Sequence, residues 1–235
     1  MNAVEQNLDN WKNSLFKRIP VADLIARNPV AHKWKAPFRA MILRETVFWR
    51  LSDLLSQSYA LHRQGHGLGA RILLRSAFET LGSLIYLNRL MERVLEGALN
   101  FHVFGKQTSN LLLGSRNNPE GPKSTNILTI LTKANKRYPG LMELYENLSE
   151  SAHPSYEGLC WGYSTVNYEE YETTFSNRWM ELFGDRHVGM MDLCMTTFQH
   201  EYNDVWEGLF EKLEKWIEAN DEELELTKNN PLPVQ

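Results

Sequence analysis

The sequence predicts an all-α fold, an antiparallel helical bundle of four or five long helices with short additional helices. Apolar residues recur with helical spacing through most of the chain, whereas the alternating patterns typical of strands are nearly absent. In residues 68–88, apolar side chains wrap almost all the way round the predicted helix. Such a helix is buried on all sides, and we expect it at the centre of the bundle.

Composition excludes some classes of function. The chain has 235 residues, a formal net charge of −4 and a pI near 6.0, which argues against bulk electrostatic capture of nucleic acid. No secretory signal or membrane-spanning apolar run is visible. The two cysteines, Cys160 and Cys194, lie far apart and show no metal-binding spacing. We therefore expect a cytoplasmic protein with two reduced thiols and no membrane contact.

The N-terminal third predicts three helices. Residues 4–18 repeat apolar groups with helical spacing, and Pro20 ends this amphipathic helix. Residues 23–27 add a helical turn, and all of 1–36 is predicted as an extension packed on the bundle. A long helix is predicted from Pro37 up to the glycine-rich turn before the central helix, because proline favours a first helical turn. That turn lacks the spacing of a phosphate-binding loop.

The middle of the chain predicts two further helices after the central one. The apolar spacing of the central helix continues to Leu99. Residues 114–123 are dense in Gly, Pro and Asn and predict a surface loop. Ser124 or Thr125 is predicted to cap the next helix, and a further helix covers residues 141–152.

The C-terminal third begins with an aromatic-rich segment. Residues 155–176 lack helical periodicity and predict a hairpin or an ordered loop whose rings cover the core. A long helix with apolar positions from Met191 to Trp216 follows. Residues 221–235 predict a flexible acidic tail, so that 1–220 is predicted as a single domain.

The central helix carries one stripe of charge. Arg71, Arg75 and Glu79 are spaced i, i+4, i+8 and therefore share one face. Charges on a buried helix are costly unless paired, so the stripe predicts an internal polar network or the floor of a cleft. Two interpretations stay open. Arg75 and Glu79 form a buried pair that fixes helix register, or the arginines bind a phosphate or carboxylate.

A second distinctive stretch covers residues 145–158. His153 stands at the end of a predicted helix, a position that favours a protonated imidazole. Hydroxyl groups surround it in sequence: Ser149, Ser151 and Tyr156. Either His153 caps its own helix, or it shares one pocket with the charged stripe.

Metal and cofactor chemistry is not predicted. Glu150 and His153 have the Glu-x-x-His spacing of di-iron bundles, but such a site needs a second pair that the sequence lacks. His62 and His66 are spaced i, i+4 without the glutamate of a zinc-protease motif. We expect no metal and no cofactor.

Two segments together carry a resemblance to a family. ARILLRSAFETLGSLIYL (70–87) and LSESAHPSYEG (148–158) resemble segments of HEPN-like all-helical bacterial proteins. The resemblance implies a helical bundle, frequent dimers and, in active members, metal-independent RNA cleavage in toxins or phage defence. Active members carry Arg, then four to six residues, then His, all on one helix. Here no Arg stands at those positions before His153, so the resemblance assigns that role to Arg71 or Arg75.

Two functions follow from these observations. The favoured one is a HEPN-like bundle that binds an anionic ligand or a protein partner, in a bacterial defence or toxin–antitoxin context, with a homodimer expected. Its predicted ligand-binding residues are Arg71, Arg75, Ser149, Ser151 and Tyr156. The alternative is a metal-independent ribonuclease acting on RNA or a nucleotide. Its predicted catalytic residues are His153, Arg75 and Glu79, with Arg71 binding phosphate.

Overall fold

The fold is all-α, as predicted. The computed structural model describes residues 3–118 and 120–229, and several long helices pack together within them. The α-helices of these residues are α1 (Ala3–Ser14), α2 (Val21–Arg27), α3 (Lys35–Arg63), α4 (Gly67–Leu95), α5 (Phe101–Leu113), α6 (Ile127–Asn135), α7 (Leu141–Ala152), α8 (Trp179–Gln199) and α9 (Trp206–Thr227). A short 3-10 helix, Ala31–Lys33, and two π-helical segments, Tyr156–Trp161 and His200–Val205, complete the helical structure. None of the described helices combines the length and apolarity that crossing a bilayer requires.

The chain divides into two compact units. Within the described residues, the first unit comprises 3–14, Trp49–Leu81 and Ala134–Thr197. The second unit comprises Leu15–Phe48, Gly82–Lys133 and 198–229. Compact units of one chain need not fold separately, so the single domain predicted over 1–220 stays a prediction.

The first unit is built on the N-terminal half of α4. Its core positions are fully buried and follow helical spacing: Ala70, Leu74, Ala77, Phe78 and Leu81. Trp179 of α8 is also fully buried. A Cβ added at Gly162 would meet the Trp179 indole at 2.5 Å, and one at Gly67 would meet its Cβ at 2.9 Å. The glycine-rich turn before α4 thus allows Trp179 to pack closely against the backbone.

The second unit contains a buried polar contact at a π-helical segment. Glu201 lies in His200–Val205 and is fully buried. The Asn88 side-chain amide donates to the Glu201 carboxylate at 2.6 Å and to its backbone carbonyl at 3.1 Å. A π-helical turn disrupts the regular backbone ladder, so a side-chain donor at this carbonyl satisfies a group that would otherwise lose stability. Phe48, Phe198 and Tyr202 pack beside it with ring centroids 5.0–5.1 Å apart.

The structure corrects the predicted boundaries after the central helix. Helix α4 ends at Leu95, and α5 is a separate helix that the sequence reading merged with it. Gly97 has φ +69°, a left-handed conformation typical of a helix end. The Asn100 side chain then accepts from the backbone N–H groups of the residues two and three positions further on, which caps α5. Helix α6 is capped by Asn126 rather than by Ser124 or Thr125.

The predicted acidic tail is helical over its first part. Helix α9 continues to Thr227, although a flexible segment was predicted from residue 221. Leu224 is buried, and Asp221 accepts hydrogen bonds from the Lys33 ammonium at 2.6 Å and the Trp34 indole at 3.0 Å. These contacts with the N-terminal part of the same unit explain why the acidic sequence stays helical. Residues 230–235 lie outside the described residues.

The aromatic-rich segment forms a hairpin, and only two of its rings pack on the core: Trp161 contacts Phe183 and Tyr163 contacts the buried Trp179. Strands β1 (Ser164–Asn167) and β2 (Glu172–Phe175) pair antiparallel. Seven of its aliphatic and aromatic side chains are exposed: Tyr156, Leu159, Trp161, Val166, Tyr168, Tyr171 and Phe175. Three of the four residues of β1 and all four residues of β2 are exposed. Neither face of this two-stranded ribbon is therefore buried by another described residue. The prediction that these rings cover the core holds for Trp161 and Tyr163 and was wrong for the exposed rings of Tyr156, Tyr168, Tyr171 and Phe175.

Candidate functional site

Arg71 is the centre of a buried polar network in the first unit. Its side chain is 2% exposed, and its Nε donates to Ser151 Oγ of α7 at 2.7 Å. Nη2 donates to the side-chain and backbone oxygens of Asn147 at 3.0 and 3.2 Å. The guanidinium carbon lies 3.8 Å from the centroid of the Phe183 ring, a cation–π contact. The Ser151 hydroxyl extends the network, because it donates a hydrogen bond to Glu157 Oε1 at 2.6 Å.

The guanidinium of Arg71 keeps its charge. Burial lowers its pKa to about 10, and the Glu157 carboxylate, 3.9 Å from Nη2, opposes that shift. A pKa of about 10 leaves Arg71 protonated at neutral pH. Its hydrogen bonds use Nε and Nη2 alone, and Nη1 donates to no atom of the described residues. A charged donor therefore remains for a ligand.

Arg71 lines a cavity of about 620 Å³ within the first unit. Helices α4, α7 and α8 and the turn between α6 and α7 form its walls. Its apolar lining includes Phe78, Leu141, Leu144, Phe183, Met190 and Leu193. Its charged lining consists of Arg71, Arg137, Arg186 and Glu143. An apolar cavity with a few convergent charged groups is the usual form of a small-molecule site.

The charge of this cavity is positive. Three guanidinium groups and one carboxylate line it, and Glu143 is exposed. Arg186 is exposed and makes no ion pair with any described residue. Arg71, by contrast, is fixed in position by its hydrogen bond to Ser151. Guanidinium groups bind carboxylate and phosphate through paired hydrogen bonds. The arrangement suits a ligand with an anionic head and an apolar body.

The rest of the charged stripe lies outside this cavity lining. Arg75 Nη2 lies 3.2 Å from Glu79 Oε1, and both side chains are one-quarter exposed. Arg75 Nη2 also donates to the Tyr145 hydroxyl at 2.8 Å. The two residues form the predicted ion pair, but at a half-buried position that contributes less to stability than a buried pair. The stripe is thus divided between an arginine that lines the cavity and an ion pair outside the cavity lining.

Replacing Glu79 by alanine is expected to lower the free energy of unfolding by at most about 1 kcal/mol, the range of solvent-screened ion pairs. A buried pair broken at one partner would cost about 3–5 kcal/mol instead. Urea unfolding of Glu79→Ala, Arg75→Ala and the double variant gives the coupling between the two residues. A loss of 3 kcal/mol or more in Glu79→Ala would contradict the half-buried assignment.

His153 is not brought into contact with the stripe. It directly follows α7, and its backbone N–H donates to the Ser149 carbonyl at 3.1 Å. Its imidazole is exposed and makes no hydrogen bond or ion pair with the described residues. Tyr156 is 73% exposed, and the Ser149 hydroxyl is buried without a hydrogen-bond partner among the described residues. Of the predicted ligand-binding residues, the network joins only Arg71 and Ser151.

Several site residues were missed from the sequence. Arg137 precedes the turn before α7, and Asn147 lies on α7 four positions before Ser151. On α8, Phe183, Arg186, Met190 and Leu193 are spaced i, i+3, i+7, i+10 and all line the cavity. One basic residue on an otherwise apolar helix face is the signal that singled out Arg71. The same signal in residues 183–193 could have found Arg186.

A second buried cluster in the first unit contains two histidines. Ser58 Oγ donates to the Ala70 carbonyl at 2.8 Å and lies 3.0 Å from His187 Nε2. Because the Ser58 hydrogen points to Ala70, His187 Nε2 carries its own hydrogen and donates to Ser58. His187 stacks on His62 with ring centroids 4.9 Å apart. A histidine that donates to serine cannot accept its proton, so this pair does not activate a nucleophile.

Burial lowers the pKa of His187 to about 4, and the neighbouring charges of His62 and Arg71 lower it further in the same direction. The pKa of His62 is also lowered, first by burial and then by Arg63. The His187 ring is therefore neutral at neutral pH. We expect protonation of His187 in acid to destabilise the fold.

No group of three or more potential metal-ligating side chains occurs within residues 3–118 and 120–229. Glu150 and His153, which have the di-iron spacing, are both exposed. Comparison of the chain with protein-family models, curated proteins and solved structures found no match. The resemblance to HEPN-like proteins therefore stays a prediction.

Proposed function

We propose that this chain is a cytoplasmic binding protein that takes a small organic anion into the cavity lined by Arg71. The ligand carries a carboxylate or phosphate head and an apolar body. One observation carries the proposal. Arg71 is buried and charged, lines an apolar cavity of about 620 Å³, and has no hydrogen-bond acceptor for Nη1 among the described residues. This volume is within the range of about 300–1,000 Å³ typical of small-molecule sites.

The physical support lies in the cost of burying charge. A buried guanidinium loses hydration, and three neutral oxygen acceptors on Ser151 and Asn147, with one carboxylate 3.9 Å away, restore only part of that loss. An anion at Nη1 would supply the missing partner in a poorly hydrated environment, where electrostatic attraction is stronger than in water. Arg137 and Arg186 add positive potential that attracts an anion to the same cavity.

The ribonuclease alternative uses His153 with Arg71 or Arg75. Its support is the short distance in sequence between His153 and Ser151, the hydrogen-bond partner of Arg71. The depth of Arg71 argues against it, because a phosphodiester at the exposed imidazole would not reach a side chain that is 2% exposed. A homodimer, a protein partner and a role in bacterial defence or toxin–antitoxin systems stay predictions of the resemblance.

Arg186→Glu is expected to weaken binding of an anionic apolar probe by about tenfold or more, the effect of losing one charge-assisted hydrogen bond. The probe is 8-anilinonaphthalene-1-sulfonate, titrated by fluorescence, with phenyl phosphate as a competitor. Arg116→Glu is the matched control, because Arg116 is exposed and lies outside the cavity lining. Thermal unfolding of each variant verifies that the fold is retained.

Equal weakening by Arg186→Glu and Arg116→Glu would contradict the proposal, since it would reflect overall charge alone. An RNA cleavage assay on the wild type and His153→Ala separates the two functions. Cleavage by the wild type that His153→Ala abolishes would favour the ribonuclease.

A further inference from the structure

The second unit contains its own cavity, of about 730 Å³, which no function discussed above uses. The start of α3, the middle of α5 and the loop before α6 form its walls. Its basic lining residues are Lys33, Lys35, Arg39 and Lys106, and its acidic lining residue is Glu120. Four cationic side chains therefore face one exposed carboxylate.

Most of this positive charge forms no ion pair within the part of the chain that the structure describes. Lys33 is held by Asp221 at 2.6 Å and Glu225 at 3.1 Å. Lys35, Arg39 and Lys106 make no ion pair with any described residue. The chain has 29 acidic and 25 basic residues, so acidic partners are not scarce. Like charges around one cavity repel one another and create a potential that favours an anionic ligand.

The backbone brings these cations together. Lys35 and Arg39 are spaced i, i+4 near the start of α3, and neighbours at this spacing share one helix face. Where α3 meets α5, a Cβ added at Gly105 would lie 3.4 Å from the Ala36 Cβ. Lys35 adjoins Ala36 and Lys106 adjoins Gly105, so this close approach positions their ammonium groups along the same cavity.

Further polar side chains complete the lining. His102, Ser109 and Asn110 of α5 lie along the cavity wall. The guanidinium of Arg39 presents several N–H donors in one plane, whereas the ammonium groups of Lys35 and Lys106 are compact point charges. This mixture suits adjacent phosphate groups better than a single carboxylate, because several cations can each bind a different oxygen.

We propose that this cavity binds a small ligand with two or three linked phosphate groups, such as a nucleoside diphosphate or triphosphate. Its volume accommodates a ligand of that size. An extended nucleic acid fits less well, because the net charge of the chain is −4 and these four basic side chains line a single cavity rather than a long surface stripe.

The experiment titrates inorganic tripolyphosphate into the full chain by isothermal titration calorimetry at low and moderate salt. Wild-type protein is expected to bind and to melt at a higher temperature with the probe present. Lys35→Glu and Lys106→Glu are each expected to weaken binding by about tenfold or more, the effect of one lost charge-assisted hydrogen bond. Both residues are exposed, so the variants retain the fold.

Lys212→Glu is the matched control. Lys212 is an exposed lysine of the same unit, lies outside the cavity lining and should leave binding unchanged. Absence of binding at millimolar tripolyphosphate, or equal loss in Lys212→Glu, would overturn the proposal. Tighter binding of a short RNA that the same two variants abolish would also overturn it, in favour of a nucleic-acid surface.

Discussion

Replacing Arg71 by methionine is expected to lower the free energy of unfolding by about 2–4 kcal/mol. The variant loses the charged donors at Ser151 and Asn147 and the contact with the Phe183 ring. Ser151 is 2% exposed, so water cannot readily replace the lost partner of its hydroxyl. Relief from burying a charge offsets part of the loss, which is why the expected cost stays below the sum of the individual bonds.

Urea unfolding followed by circular dichroism at 222 nm measures this change. Arg75→Met is the matched control from the next turn of α4, and its cost is expected to be about 1 kcal/mol or less because Arg75 is one-quarter exposed. Arg71→Met should also abolish binding of the anionic probe. If Arg71→Met is as stable as Arg75→Met, then the buried network contributes no more than a surface pair and Arg71 does not anchor the site.

Acidification is the second large effect expected. The pKa of His187 is about 4 in the folded protein, against about 6.5 in an unfolded chain. Above pH 6.5 both states leave the ring neutral, and the full stability is present. Between pH 6.5 and 4 the unfolded chain binds a proton that the folded protein excludes. Stability therefore falls by up to about 1.4 kcal/mol per pH unit, and by about 3 kcal/mol in total.

Other groups also titrate in this range, so the measurement compares variants. His187→Gln retains an amide N–H that can donate to Ser58 but has no proton to gain. The difference in unfolding free energy between wild type and His187→Gln should change by about 3 kcal/mol in favour of the variant from pH 7 to pH 4. His66→Gln, at an exposed histidine four residues from His62, should follow the wild type. A difference that does not vary with pH would show that His187 is not buried in the neutral form.

The main features of the fold could be predicted because they depend on the spacing of apolar residues within single helices. Of the positions from Ala70 to Leu81 that were expected on one helix face, all are buried in the structure except Leu73, which is half-buried. The break between α4 and α5 was also visible, since Gly97 and Asn100 are a helix end and a cap. It was missed because apolar spacing was followed across the glycine.

The hairpin shows where local pattern fails. Its aromatic residues indicated burial, because large rings usually lie in cores. Exposure depends on whether another element covers the ribbon, and no residue pattern within 155–176 contains that information. Tyr168 and Tyr171 are 83% and 95% exposed for this reason.

By itself the sequence determined the all-α class and the buried face of α4, and it singled out the charged stripe that contains Arg71, because each follows from spacing within a few turns of helix. Only the tertiary structure decided which groups meet. Arg71 and Ser151 are 80 positions apart, and His32 and Glu214, which lie 2.7 Å apart in the second unit, are separated by 182. Such contacts depend on how helices pack, which is set by the sum of many apolar contacts rather than by any one segment. Tertiary packing therefore separated Arg75 and His153 from Arg71 and placed Arg186 at its cavity.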